Sequence, residues 1–168
     1  MPIAKLRKEI NLFVDGRGYA GRVTEFDPPK LTVKTEEHLA GGMDAPLEID
    51  MGLEKLECML TLADFDADAL RSFGLIGEAK GVTLRGAQQD RQTGATEALV
   101  YQLRGRFREV DPGTWKPGEA SPLKLTAALE YYKLEVDGET IHEIDVINMV
   151  RVIDGTDQME AMRQALGL

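Results

Sequence analysis

The stretch Leu123–Val136, LKLTAALEYYKLEV, alternates apolar and polar residues, and its alternation changes phase partway along. Leu123, Leu125, Ala127, Leu129 and Tyr131 fall on one side of an extended chain, and after Tyr131–Tyr132 the apolar set continues through Leu134 and Val136. A period of two predicts a β-strand with one buried face. The flip predicts a bulge, a bend, or a strand that leaves one sheet for another, because a one-residue slip exchanges the two faces. Asp137-Gly138 follows at once, in LEVDGETI, and is the strongest hairpin signal in the chain.

The same period extends outward from there. In Ala98–Arg108 the apolar side holds Leu99, Tyr101, Leu103, Gly105 and Phe107, while Gln102, Arg104, Arg106 and Arg108 make a polar, basic face. Further strands are predicted at Ile10–Val14, Tyr19–Phe26, Lys30–Glu37, Pro46–Met51, Lys55–Ala63, Gly81–Gln89 and Glu139–Ile147. They are separated by turn-rich segments such as VDGRG, FDPPK and RQTG, and VDPGTWKPGEASP reads as a long loop around Trp115.

Two helices interrupt the strands. Asp64–Phe73 opens on acids suited to a helix N-terminus, and Gly74 can end it. A C-terminal helix is predicted over residues 155–166, with Met159, Met162 and Leu166 as an apolar stripe and Gly167 as terminator. Such a stripe most often docks on its own sheet, although a Met-rich one can serve a partner. With no fixed-period repeat and no low-complexity linker, residues 1–168 read as a single mainly β domain. The expected architecture is an antiparallel β-sandwich or barrel with one or two helices.

Composition narrows the function classes. The chain carries 20 basic and 29 acidic residues, net −9, which argues against a surface that grips nucleic-acid phosphates. An acidic surface can still act near DNA by repelling it. Cys58 is the one cysteine, so no intrachain disulfide can form and the chain suits a reducing cytoplasm. It lies on the apolar side of LECMLTL with no His nearby in sequence, the setting of a buried, inert thiol. No apolar run is long enough to cross a bilayer, and the N-terminus lacks the apolar core of a signal peptide.

The segment most suggestive of chemistry is Ala40–Asp50, AGGMDAPLEID. A phosphate loop would need its glycines to feed a helix N-terminus, whereas here Pro46 and an alternating strand follow. Glu48 and Asp50, echoed by Glu143 and Asp145, project from one strand face about 7 Å apart, a spacing compatible with a glycosidase-type carboxylate pair. An outward polar stripe explains both pairs without catalysis, so a hydrolase remains only as an alternative. His38 and His142 lie in no ligand-spaced motif, and Asp44, Glu48 and Asp50 leave a diffuse calcium site open without EF-hand spacing.

Charge is also distributed unevenly. Lys34–Glu57 has 2 basic and 7 acidic residues, net −5, and Glu135–Glu160 has 1 basic and 8 acidic, net −7. Basic residues gather at Lys5, Arg7 and Lys8 and on the Arg104–Arg108 face. Solvated strand faces account for this pattern. So does head-to-tail self-association, in which basic patches of one copy meet acidic patches of the next.

Four long blocks, NLFVDGRGYAG, PPKLTVKTEEHLAGGMDAPLEIDMGLE, LRGRFREVDPGTWKPGE and LTAALEYYKLEVDGETIHEIDVINMVRVIDGTDQMEAMRQALGL, together resemble the major tail tube protein family of contractile-tailed bacteriophages and R-type pyocins. The resemblance runs from Asn11 to Leu168 and is weakest in Leu62–Glu97. It implies a non-enzymatic structural protein of the virion, made in the bacterial host cytoplasm, with no cofactor, no metal and no membrane anchor. It also implies hexameric rings whose sheets join into a continuous β-barrel tube, stacked inside a contractile sheath.

Such a tube conducts DNA during ejection without specific binding; in a tailocin it would be a membrane-piercing channel. Implied partners are further copies of the chain, the tail sheath protein, and baseplate, tail-terminator and tape-measure proteins. A type VI secretion-like tube protein is the alternative. Under this resemblance, residues 38–53 become an extended inter-subunit loop. Gly41 and Gly42 would permit its turn, Met43 would anchor it, and Pro46 would stiffen its return, with Asp44 between them. Met159 and Met162 become contact residues between copies, and Glu48, Asp50, Glu143 and Asp145 a lumen-facing acidic stripe.

Overall fold

The computed structural model describes residues 4–168. Its strands are β1 (Leu6–Val14), β2 (Arg17–Gly18), β3 (Val23–Asp27), β4 (Val33–His38), β5 (Leu47–Leu53), β6 (Glu57–Leu62), β7 (Lys80–Gln89), β8 (Thr96–Asp111), β9 (Leu123–Val136), β10 (Glu139–Asp145), β11 (Val150–Ile153) and β12 (Thr156–Asp157). The helices are α1 (Ala67–Arg71) and α2 (Glu160–Leu166). One sheet runs β12-β11-β10-β9-β8-β7-β1-β2, with β6 joining β9 and β3 joining β6. Strands β4 and β5 form a separate two-stranded sheet. All named strand pairings are antiparallel.

Strand β9 shows how the phase change in the sequence is used. Its first half, Leu123–Ala128, pairs with β6, and its second half, Tyr131–Val136, pairs with β10; β8 lies along its other edge throughout. Between the halves the register with β8 steps from Gly105↔Leu129 to Arg104↔Tyr131, leaving Glu130 unpaired as a bulge. The apolar set is thereby kept inward: Leu123, Leu125, Ala127, Leu129 and Tyr132 are all buried. Tyr131, which simple alternation assigns to the apolar side, turns outward instead.

Gly105 makes the bulge sterically possible. A Cβ built there would lie 2.8 Å from Leu129 Cα and 2.9 Å from Ala128 C, separations that real side chains do not adopt.

The buried side chains of β1, β6, β7, β8 and β9 form one core that includes Leu12, Leu60, Val82, Leu103, Phe107 and Leu125. Cys58 joins it at 2% exposure, and burial pushes its thiol up to about 12. Helix α1 closes one end through buried Ala69. Its N-cap, Asp66, accepts a hydrogen bond from Ala69 N at 2.8 Å and receives Arg22 Nη2 at 2.6 Å. Asp66 is itself buried, which works against its charge, but the Ala69 N–H and the Arg22 guanidinium hold its carboxyl below the usual range.

Several boundaries differ from those read in the sequence. The strand expected from Tyr19 begins at Val23, because Tyr19 O accepts from Arg22 N and forms a turn first. The C-terminal helix begins at Glu160 rather than 155: Thr156–Asp157 pairs with β11, and the Asp157 carboxylate accepts from Met159 N at 2.9 Å. Gly167, in the left-handed conformation, ends α2 as expected. Residues 38–53 are a loop only over Leu39–Pro46; the remainder is the last residue of β4 and the whole of β5.

Candidate functional site

Among the described residues no catalytic constellation forms, and the distinctive features are surfaces. Strands β4 and β5 form an arm that stands off the main sheet, with every residue from Val33 to Met51 exposed. Its register pairs Glu37 with Glu48 and Thr35 with Asp50 on one face, and His38 with Leu47 and Glu36 with Ile49 on the other. The arm is therefore two-sided, with an acidic face and a face bearing the row Leu47, Ile49 and Met51, exposed by 43–58%. Alternation in β5 is that of a strand covered on one side, yet among the described residues the row is left about half exposed.

At the tip, Gly42 alone of the glycine pair has a positive φ, +94°, which a side chain would strain. Met43 folds back on the tip, its N–H donating to Ala40 O at 3.1 Å and its sulfur accepting from Ala40 N at 3.4 Å. Asp44 is exposed, and Pro46 precedes the first residue of β5. At the root, the Asp50 carboxylate accepts from Gly52 N at 2.7 Å and from Arg151 Nη2 at 3.2 Å, tying the arm to β11.

The four carboxylates expected to form one stripe are divided between two sheets. Glu48 and Asp50 belong to the arm. Glu143 and Asp145 lie on the face of β10 that points away from the core, since their neighbour Ile144 is buried. Both have local tasks there. Glu143 accepts from Tyr131 Oη at 2.9 Å. Burial and this carboxylate together push the Tyr131 phenol up to about 12. Asp145 caps the β10–β11 turn, accepting from the backbone N–H groups of Ile147 and Asn148 and from Asn148 Nδ2. Partial burial opposes its charge, yet these donors hold its carboxyl below the usual range.

Around them the outward face carries further charged groups, some of them paired. Lys133 meets Glu135 at 2.8 Å, Arg104 meets Glu130 at 3.3 Å, and Arg104 lies over the Tyr131 ring.

Helix α2 presents its stripe to solvent: no residue of it is buried, and Met162 and Leu166 are exposed by 56% and 59%. Met159 sits just before it, partly covered, with its sulfur near Arg151. Arg163 anchors the helix, reaching Met149 O at 2.7 Å and Asp157 at 2.6 Å. At the α1 end the exposed Phe65 and Trp115 meet edge-on, their rings 5.6 Å apart. Sequence periodicity does not reveal this pair, because the two residues lie in loops far apart in the chain.

Comparison with known proteins gives these surfaces a context. The family model for phage tail tube protein FII matches residues 5–167. The tail tube protein of Escherichia phage P2 is 33% identical, and the alignment covers the whole of both chains. The major tail tube protein of Serratia phage KSP20 is 30% identical over all of this chain and 99% of that protein.

Among solved structures, the sheath/tube terminator of an extracellular contractile injection system in its extended state matches with TM-score 0.59 and 11% identity, over 80% of this chain and 97% of the other. The sheath-tube complex of that system matches with TM-score 0.58 and 10% identity, over 75% and 87%. At such identities the likeness is one of fold.

Proposed function

Because the chain belongs to the phage tail tube protein FII family, we propose that it builds the inner tube of a contractile tail from stacked hexameric rings. The observation that carries this reading is the arm. A hairpin with a bare apolar row is a poor solution for a lone domain and a good one for a subunit whose neighbour supplies the cover. Leu47, Ile49 and Met51 are each about half exposed, so covering them contributes on the order of 3 kcal/mol per arm. Gly41, Gly42, Met43, Asp44 and Pro46 shape the tip that reaches the adjacent subunit or ring, and the exposed Met162 stripe of α2, beside Met159, provides a second contact.

In this arrangement one face of the main sheet is occupied by the subunit's own core, and the opposite face lines the channel. Glu135, Glu143 and Asp145 sit there among Arg104 and Lys133. Arg104 and Lys133 are each paired with a glutamate there, and Glu143 and Asp145 add further negative charge, so this part of the face repels DNA phosphates and genomic DNA slides through without specific binding. The tube's exterior meets the sheath protein, its ends meet baseplate and terminator proteins, and a tape-measure protein occupies it before DNA does. The role is structural rather than catalytic: subunits made in the host cytoplasm become part of the virion.

Deletion of Gly41–Ala45 tests the arm's part. Subunits should keep their fold by circular dichroism and fail to sediment as tubes; tubes of normal yield would refute an assembly role for the tip.

A further inference from the structure

The core shared by β1, β3, β6, β7, β8 and β9 is finished differently at its two ends. At one end α1 lies against it, and Ala69, Ser72 and Phe107 help to leave a void of only about 10 Å³. Toward the other end a cleft of about 80 Å³ opens, lined by Ile10, Phe26, Pro28, Leu84, Leu99 and Tyr101. The Phe26 and Tyr101 rings meet there, 5.6 Å apart, and the exposed Arg7 and Glu9 stand beside the opening. An apolar cavity of about 150 Å³ stays dry and accepts a benzene ring, so roughly half that volume suits one aliphatic side chain.

The α1 end carries a projection of that kind. Gly74 and Gly77, with φ of +69° and +83°, bracket a tight turn, and Ile76 between them is 96% exposed. No other large apolar side chain among the described residues is as bare. Its own subunit's cleft is out of reach. The Gly74 N–H donates to Phe107 O at 3.1 Å, and Leu99 lies eight positions away along β8, roughly 26 Å by strand rise.

Charge follows the same division. Glu78, two residues after Ile76, reaches Lys80 only at 3.5 Å, and that lysine is held more closely by Asp15 at 2.8 Å. Arg7, beside the cleft, has no salt-bridge partner among the described residues. One chain thus offers an apolar knob with a loosely held carboxylate at one end, and an apolar hole with an unpaired cation toward the other.

We propose that the Gly74–Glu78 turn of one copy plugs the cleft of a copy in the next ring, with Ile76 filling the hole and Glu78 meeting Arg7. The proposal rests on the tube reading and adds to it the identity of an axial contact. Knob and hole on different parts of the surface make a head-to-tail contact, which repeats along a stack without closing on itself. It also fixes the stacking polarity, because a reversed ring would set hole against hole.

Disulfide trapping tests the plug in the full-length variants I76C/L99C and I76C/I10C, assembled and then oxidised. A disulfide needs Cα atoms within about 7 Å, so neither pair can close inside one subunit, and the native Cys58 is buried. On denaturing, non-reducing gels the tubes should give ladders of linked chains that run past six, since each link joins one ring to the next. I76C, L99C and I10C alone should give no ladder. Tubes that give no links with either pair, or ladders that stop at six as links around one ring would, overturn the plug and leave the tube reading standing. A wild-type chain that forms no ring or tube refutes both. If the cysteine pairs do not fold or assemble, I76D decides the matter. Its melting profile should match the wild type, and it should need at least about tenfold more protein to form tubes while still forming single rings. I76D tubes at the wild-type threshold would overturn the plug.

Discussion

Replacing Gly105 by Ala adds one methyl group at the bulge between β8 and β9. The new Cβ would lie 2.8 Å from Leu129 Cα and 2.9 Å from Ala128 C, and nearer still to the Ala128 carbonyl oxygen. All three atoms are backbone, so no rotamer change relieves the overlap, and β9 must withdraw from β8 by roughly 1 Å. Overpacking of this kind costs about 1–3 kcal/mol. Separating the strands at Ala128–Tyr131 also leaves one or two buried backbone groups unpaired, at about 1–3 kcal/mol each.

The sum is about 2–9 kcal/mol, a large share of the 5–15 kcal/mol typical of a domain, and corresponds to a fall in Tm of roughly 4–36 °C for a chain of this size. Thermal melting of G105A followed by circular dichroism measures it. G81A is the control, since Gly81 lies on the neighbouring strand with open space around its Cβ position; it should stay within about 1 kcal/mol of wild type. If G105A and G81A melt together, the close approach at the bulge is not real and the account of β9 fails.

Three further outcomes follow from the same reasoning. D66A removes the α1 cap and should cost about 1–2 kcal/mol in urea unfolding. In the wild type, the contribution of Asp66 is present above the unfolded carboxylate pKa of about 3.9 and is lost as pH falls through its lower folded value, so D66A and wild type should converge in stability in strong acid. Cys58, 2% exposed with its thiol pushed up to about 12, should resist alkylation at neutral pH until the chain unfolds; rapid full labelling of native protein, read by mass spectrometry, would contradict its placement in the core. The double variant I49S/M51S should change the melting temperature of the subunit little, because both side chains are about half exposed and belong to no part of the buried core, and should abolish tube formation.

What could be read in the sequence follows from where burial leaves a local trace. The inner strands were legible because one face of each is covered by the subunit's own core, so that Leu123, Leu125 and Ala127 recur at period two. The phase change at Tyr131–Tyr132 marked the bulge for the same reason, although nothing local names Gly105 as the residue that makes room for it. In β5 the same alternation of Leu47, Ile49 and Met51 was visible, but periodicity says that a face wants cover and not which molecule provides it.

The short strands β11 and β12 were lost: Val150–Ile153 and Thr156–Asp157 are too brief to show a period, and the acids and methionines after them read as helix. Glu48, Asp50, Glu143 and Asp145 looked equivalent because the motif EID occurs twice; only the strand pairing shows that one copy stands on the arm and the other on the sheet.

The most direct test of a tube-forming subunit is electron microscopy of the purified full-length chain across a concentration series. The tube reading proposed from family membership and the half-exposed arm predicts six-fold rings with an open centre that stack into tubes as concentration rises. Small particles that remain monodisperse and monomeric at the highest concentration, with the fold intact by circular dichroism, would contradict it.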